Sequence, residues 1–421
     1  LIAESLSGDT LFVEVSAKTG YVFPEKEWQS IGTQFYGSYH NHDHRFGIRH
    51  YEGTEKFFRG NVLFSSIIGN TDHKFTTGAS FVYDDFHERG NWGAGIGDDE
   101  PYFETLTRTE IVPGAFFEYT WKASERLEAI AGLRGDFHNM FGTFVSPRLH
   151  VRYSLAEETS LKLVAGRGFR TANVFMENLG SWASNRRWVL QDNLEPEIAT
   201  NLGLNMVSKF KLNSREASLS LDGYLTDFEN RVIVDLYDSA GTVQVYNLDQ
   251  SDPNALSRSI TVQAEFDWSV HRRLDVRTAY RWVNAQTDFK DDGLGLRLDP
   301  FIAKHRAFTQ WSYASKPKEN GEQIRIDGVL QWVGPQQLPQ NFIDSPYHPT
   351  TTPSFTQANL QVSKTFKDNF ELYAGVENIF NVVHKNPIVG AMGTIEGPEL
   401  EPNFDYVFDA SLVYGPIFGR M

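Results

Sequence analysis

Two clusters of side chains carry most of the chemistry this sequence offers. His40-Asn41-His42-Asp43-His44 places three imidazoles two residues apart. In an extended chain they share one face and offer nitrogens to a metal ion or a haem iron. A solvated loop rim explains them more simply and is the preferred reading, because that spacing in an untethered loop fixes no geometry. The stretch from Phe169 to Asp192 holds Arg170, Trp182, Arg186, Arg187 and Trp188. Such a set grips an anionic, aromatic-bearing ligand through charge-assisted hydrogen bonds and stacking. An interfacial belt with ordinary loop charges accounts for the same residues equally well.

Catalytic constellations are missing from the sequence. It contains no G-x-S-x-G, no H-E-x-x-H and no P-loop, and its carboxylates are scattered, so no enzyme is expected. The run Gly93-Ala94-Gly95-Ile96-Gly97 is followed by Asp98, Asp99 and Glu100 rather than by a helix, and reads as a loop. With no Cys there is neither a disulfide framework nor a thiolate metal site, and no resident cofactor or structural metal is expected. The net charge of -15 argues against nucleic acid as a partner, since a phosphate backbone is held by clustered Lys and Arg.

The elements that must position these residues are strands. No run approaches the ~18 apolar residues of a spanning helix, and the mean hydropathy is -0.39. Yet aromatics reach 14%, with 32 Phe, 17 Tyr and 9 Trp. A β-barrel in lipid has this profile, because only every second residue must be apolar and aromatic girdles mark both interfaces. Alternation is strict in Ser259 to Trp268, where Ile260, Val262, Ala264, Phe266 and Trp268 interleave with Thr261, Gln263, Glu265 and Asp267. Leu149, Val151 and Tyr153 against Arg148, His150 and Arg152 repeat it, as do Ile324, Ile326, Leu330 and Trp332 against Arg325, Asp327 and Gln331.

A soluble sandwich also alternates, but connection lengths separate the two. Brief polar turns at Ile68 to Asp72, Lys122 to Glu125, Leu155 to Thr159, Leu212 to Arg215, Val270 to Arg273, Ser315 to Gly321 and Lys367 to Asn369 take turns with long connections. The long ones fall near 42–56, 87–104, 169–194, 237–255, 287–302, 334–353 and 385–416. Short turns on one side and long loops on the other are the asymmetry of an outer-membrane barrel. The expected fold is therefore all-β, a transmembrane antiparallel β-barrel of about sixteen strands in one domain over residues 1–421. Arg148, Arg152, Arg277, Arg281 and Arg325 would line its lumen, paired with carboxylates of the wall or of a plug.

Three segments resemble a known family. Glu371-Leu372-Tyr373-Ala374-Gly375-Val376-Glu377-Asn378-Ile379-Phe380-Asn381 resembles the penultimate strand of TonB-dependent receptors, with its G-V-x-N-[LI]-F-[DN] pattern. Ser146-Pro147-Arg148-Leu149 and Gly166-Arg167-Gly168-Phe169-Arg170-Thr171-Ala172 look like the family's mid-barrel S-P-R-L and G-x-G-F-R-x-P elements, with Ala172 in place of the proline. Asn193-Leu194-Glu195-Pro196-Glu197 matches N-L-x-P-E. Lys18 to Pro24 and Tyr414 to Arg420 look more narrowly like receptors of the Bacteroidetes.

The resemblance implies an outer-membrane receptor of a Gram-negative bacterium that imports a scarce nutrient such as a ferric siderophore, haem, cobalamin or another metal chelate. Its partners would be outer-membrane lipid, TonB acting through a plug segment, and a surface lipoprotein. A plugged transporter barrel has 22 strands, so the sixteen here would be strands 6 to 21. The plug, the first five strands and the closing strand would then lie outside residues 1–421. Such a piece would leave two open sheet edges in hydrocarbon, which is costly. The competing reading is a passive porin, for which sixteen strands suffice; a soluble all-β binding protein is a third.

Overall fold

The computed structural model describes residues 6–46, 49–92, 103–183, 186–237, 242–248, 252, 255–290, 295–339, 350–367 and 370–384. The loop expected near 385–416, the terminal Tyr414 to Arg420 and the glycine run Gly93 to Gly97 lie outside these residues.

Eight long strands follow one another directly: β1 (Leu6–Phe23), β2 (Lys26–Phe46), β3 (Arg49–Ile68), β4 (Asn70–Gly90), β5 (Glu104–Lys122), β6 (Leu127–His138), β7 (Gly142–Ala156) and β8 (Thr159–Arg170). A short helix α1 (Val174–Glu177), a 3-10 turn (Leu179–Ala183) and β9 (Arg187–Leu190) intervene before β10 (Glu197–Leu212) and β11 (Arg215–Asn230). After β12 (Val232–Asp235) and β13 (Thr242–Asn247) come β14 (Ser257–His271), β15 (Leu274–Asp288), the short β16 (Leu296–Leu298), β17 (His305–Ala314), β18 (Gln323–Val333), β19 (Phe355–Phe366) and β20 (Phe370–Val376).

Seventeen of these form one antiparallel sheet. Its spatial order follows the chain, β8 pairing with β10 and β11 with β14, while β16 pairs with the outer end of β15 above β17. Sixteen long strands make the wall, as the alternation predicts. Among the described residues β1 pairs with β2 alone and β20 with β19 alone. The remaining three strands, β12, β13 and β9, form a separate small sheet.

The wall is oily on the outside. Ile31, Phe35 and Tyr39 of β2, Phe58 and Val62 of β3, Phe81 of β4 and Phe117 of β5 are all exposed. The aromatic rings among them run across strands, with Phe35 and Phe58 at 6.4 Å and Phe58 and Phe81 at 6.5 Å. The alternate residues turn inward and carry polar groups, such as Arg134, Asp136 and Ser80, which hydrogen-bond one another. Tyr51 of β3, Val243 of β13 and Leu338 beyond β18 meet in one buried cluster, so the meander curls around its polar face. A sandwich would bury the opposite face. No helix among the described residues is long and apolar enough to cross a membrane.

The brief turns fall where the sequence places them. Leu212–Arg215 closes on Asn213 and Ser214 at φ 49° and 61°, the left-handed pair of a two-residue hairpin. Two expectations need correction. The connection read near 42–56 is not a long loop: β2 runs on to Phe46, β3 starts at Arg49, and pairs such as His42 with Gly53 and Asp43 with Glu52 continue the ladder. Above the lipid both faces of a hairpin are wet, so the period of two in hydrophobicity vanishes while the pairing persists. Between β6 and β7 the outer connection is only residues 139–141, so the alternation of short and long is broken there.

An arginine at Val62, facing lipid, should cost the full-length protein about 2–4 kcal/mol in a denaturant titration from vesicles. The luminal neighbour Asn61→Lys should cost less than half of that. Equal costs would contradict the assignment of faces.

Candidate functional site

The outer end of the wall is roofed by its own loops. The connection between β8 and β10 folds inward because its apolar residues find one another: Phe175 and Trp182 are almost fully buried, with Trp188 close behind. They stack on Tyr51 and Trp92, with Trp92 and Phe175 4.4 Å apart, Tyr51 and Trp182 5.1 Å, and Phe175 and Trp188 5.3 Å. Val243 and Val245 of β13, Leu236 and Leu338 complete the cluster. In β9, Trp188 turns into this core while Arg187 and Val189 turn out, the alternation of a strand lying on a core.

Hydrogen bonds from the wall hold the roof down. Arg108 of β5 donates to the Ala172 carbonyl at 3.3 Å and to Asn173 Oδ1 at 2.5 Å, while its Nε lies 2.6 Å from Glu110. Glu110 in turn lies 3.2 Å from Nε2 of the buried His138 of β6. The guanidinium of Arg170 forks onto Glu177 with two bonds of 2.9 Å and reaches Glu197 at 2.7 Å, tying the start of the loop to its end. Buried Arg49 donates to the carbonyls of Asn91 and Arg186.

The residues singled out from sequence thus separate. Trp182 and Trp188 do come together, but inside a core rather than on an accessible face. Arg186 is buried and donates to the Leu236 carbonyl at 3.2 Å. Arg187 is exposed on β9, and the Arg170 side chain is more than half exposed despite its two carboxylate partners. Beside Arg170 lies a cavity of about 480 Å³ between the roof, β12 and residues 299–302. Arg170, Glu177, Glu197, Arg231, Asp299 and Phe289 are among its lining residues. Arg231 donates to Ser257, Thr287 and Asp299 at 2.7–2.9 Å. A cavity of this size suits a small-molecule ligand, with charged groups placed to orient it.

Below the roof the inner wall is basic at mid-height, where Arg59, Arg134 and Arg148 line a hollow of about 580 Å³ with Gln34 and Asn61. Arg148 pairs with Glu118, and Arg277 lies 2.6 Å from Asp267, the wall pairing expected for luminal arginines. A wider hollow of about 920 Å³ opens among the short turns at the other end. It lies at the other end of the strands from the roof and is bounded by strand-end residues such as Lys209, Lys211 and Glu216, which leaves the cavity at the roof as the candidate ligand site.

The three histidines lie within β2, not at the entrance to a long loop, and all face the lumen. His42 Nε2 is 3.0 Å from His40 Nδ1, and His44 Nε2 is 3.3 Å from His42 Nδ1. On the outward face of the same hairpin His50 Nε2 sits 2.8 Å from Asp43 and 3.4 Å from Glu52, a grouping with the reach to hold an ion that the sequence alone did not bring together. Neither Arg108 nor Asn173 was singled out either. The Asn-x-x-x-Glu spacing of Asn173 and Glu177 is the one local hint, since Glu177 accepts the Asn173 N–H at 3.0 Å.

In the outer loops Asp235 accepts from the Tyr246 hydroxyl at 2.6 Å. Burial pushes Tyr237 up to about 12, and burial with the Asp235 contact raises Tyr246 further. Both raised values favour the folded loops below the ordinary tyrosine range near pH 10 and lose that contribution as pH climbs through the folded values. Trp182→Ala should remove about 3–5 kcal/mol of local packing. Limited proteolysis should then cut the 171–196 loop much faster while the strands stay protected; an unchanged cleavage rate would contradict the buried roof.

Comparison with known proteins fits this arrangement. Residues 6–379 match the model of the family described as TonB dependent receptor-like, beta-barrel. A probable TonB-dependent siderophore receptor, PirA, of Acinetobacter baumannii is 23% identical over 357 residues, covering 73% of this chain and 45% of that protein. Among solved structures, the copper transporter OprC superposes with a TM-score of 0.63 at 16% identity, over 89% of this chain and 60% of its own. The ferric-catecholate import receptor Fiu from E. coli K12, in its closed form, gives 0.63 at 12% identity, over 90% and 61%. The chain spans less than half the length of the relative and under two thirds of either structure. With a family match that runs through nearly the whole wall, the chain belongs to the TonB-dependent receptor-like β-barrel family.

Proposed function

We propose that this chain is the bulk of the barrel of an outer-membrane receptor of a Gram-negative bacterium that imports a scarce metal chelate, a ferric siderophore above all, with energy delivered by TonB through a plug segment. One observation carries the reading: a loop roof with its own aromatic core borders a charged cavity of about 480 Å³, and arginines line the inner wall below it. A water-filled porin needs no such packed roof, whereas a receptor must hold its ligand at the mouth before passing it inward.

In this reading Arg170 and Arg187 meet the anionic chelate, Arg170 exchanging a carboxylate partner for the ligand. Trp182, Trp188 and Arg186 act beneath them, giving the roof a rigid underside, so their contribution is to preorganise rather than to touch. Family membership supports the reading, as does the siderophore receptor among the relatives. The share of those proteins that the chain spans leaves room for a plug and further strands in the full receptor.

Deletion of the gene in its native host should abolish growth on one ferric chelate under iron limitation, and uptake should stop when the proton-motive force is collapsed. Arg170→Ala with Arg187→Ala should lower uptake of that chelate at least about tenfold at unchanged surface expression, the loss of charge-assisted bonds. Uptake that persists without the proton-motive force would favour the passive porin.

A further inference from the structure

Arg231 fills the single position between β11 and β12, where the wall passes into the small sheet of the roof. Its backbone is pinned on both sides. The Arg231 carbonyl accepts the Leu248 N–H at 2.8 Å, the buried Asn230 before it donates to the Pro196 carbonyl at 3.0 Å, and the Val232 N–H after it donates to Glu197 at 3.2 Å. The tip of the side chain is held as firmly. Nη1 spends its hydrogens on Ser257, Thr287 and Asp299 at 2.9, 2.7 and 2.8 Å. Ser257 and Thr287 are buried, Thr287 donates on to Asp299 at 2.7 Å, and the Phe228 ring lies 5.2 Å from the guanidinium carbon.

One edge of the guanidinium is left over. Its Nε and Nη2 hydrogen-bond to none of the described residues, and neither nitrogen is sealed from solvent. Arg231 lines the cavity of about 480 Å³ beside the roof, and this edge is what it offers there. The wall shows what such an edge binds. Arg167 closes Nε and Nη2 on Glu229 at 2.8 and 2.7 Å, and Arg134 closes the same pair on Asp136 at 2.7 and 2.5 Å. Two parallel N–H donors match the two oxygens of a carboxylate. Arg170, which also lines the cavity, is in the opposite condition, because all three of its nitrogens already bond Glu177 or Glu197.

We propose that Arg231 is the carboxylate-binding residue of this cavity, and that the ligand presents to it one monoanionic carboxylate on a partly apolar body. The proposal rests on the reading of this cavity as the ligand site. Charge limits the ligand to one such group: among the lining residues Arg170 and Arg231 face Glu177, Glu197 and Asp299, so negative charge is in excess. A second anionic group would meet those carboxylates in surroundings less polar than bulk water, where like charges repel more strongly. Val232, Val234, Leu236, Phe289 and Phe301 supply apolar wall for the remainder of the ligand. The bonds to Ser257, Thr287 and Asp299 hold the guanidinium in place beforehand, so little side-chain freedom is lost when the carboxylate docks. Arg170 has to release a carboxylate before it can accept a ligand, whereas Arg231 offers its edge without that cost.

The test is a saturation-transfer NMR titration of the purified full-length protein in detergent with three small probes: benzoate, its neutral counterpart benzamide, and phenyl phosphate, which carries close to two negative charges at neutral pH. We expect benzoate to bind at least about tenfold more tightly than benzamide, the scale of hydrogen bonds to a charged group, and more tightly than phenyl phosphate. Arg231→Gln should bring benzoate down to the benzamide level. Arg231→Lys keeps a charge beside Asp299 but not the two parallel donors, and should also bind benzoate less tightly than the wild type. Arg277→Gln, at the other end of the wall, should bind benzoate as the wild type does. Heat-modifiable gel migration and slow cleavage of the 171–196 loop identify variants with an intact roof, and the lysine variant guards against a glutamine variant that misfolds. The proposal is overturned if the wild type binds no benzoate, if it binds benzamide or phenyl phosphate equally well, or if either folded Arg231 variant keeps wild-type affinity for benzoate. Uptake is measured separately: failure of the transport reading leaves selective benzoate binding intact, whereas chelate uptake by a protein that does not prefer benzoate strikes the role of Arg231 alone.

Discussion

In hydrocarbon every backbone N–H and C=O must find a partner within the protein, and the rest of this structure depends on that constraint. It forces sixteen long strands into one continuous antiparallel ladder and forbids irregular chain at membrane depth. Every connection is thereby pushed to one of two ends, and every side chain is assigned to lipid or lumen by parity alone. A shift of one residue in β2 would turn the histidines to the outer face and Phe35 into the lumen, so register and chemistry are fixed together.

The roof follows from the same rule. Loops cannot lie in the wall, and those at the outer end are rich enough in Trp, Phe, Val and Leu to build a core of their own. That core is non-local: Tyr51 from an early strand, Trp182 and Trp188 from the middle of the chain and Leu338 from late in it. Polar anchors bind it to the wall, Arg108 reaching Asn173 across 65 residues of sequence. Arg170 and Arg187 stay exposed beside that core. The positions that look most adhesive in sequence, Trp182, Trp188 and Arg186, are the ones spent on rigidity.

What the sequence made legible follows the reach of its signals. Wall strands were readable because a period of two survives wherever one face meets lipid, and the Asn213–Ser214 hairpin because its turn chemistry is local. The extension of β2 and β3 past residue 42 was not, since both faces there are wet and composition alone resembles a loop. That His40, His42 and His44 share a face was readable from parity. Their contact with Thr10, and the room that Gly8 leaves for His44, depend on which residue of β1 lies opposite, and register between strands is not written in either strand separately. The burial of the tryptophans was hidden for the same reason, as their partners are supplied by four other segments.

The most direct test of the central claim, the parity of the wall, uses the fact that residues 1–421 contain no cysteine. Single cysteines introduced one at a time along β2 in the full-length protein, reconstituted in vesicles, would be exposed to a membrane-impermeant thiol reagent. Positions 34, 36 and 38 should react from the water-filled lumen, while 31, 35 and 39 should stay protected by lipid. Uniform labelling, or labelling at 31, 35 and 39 instead, would contradict the barrel.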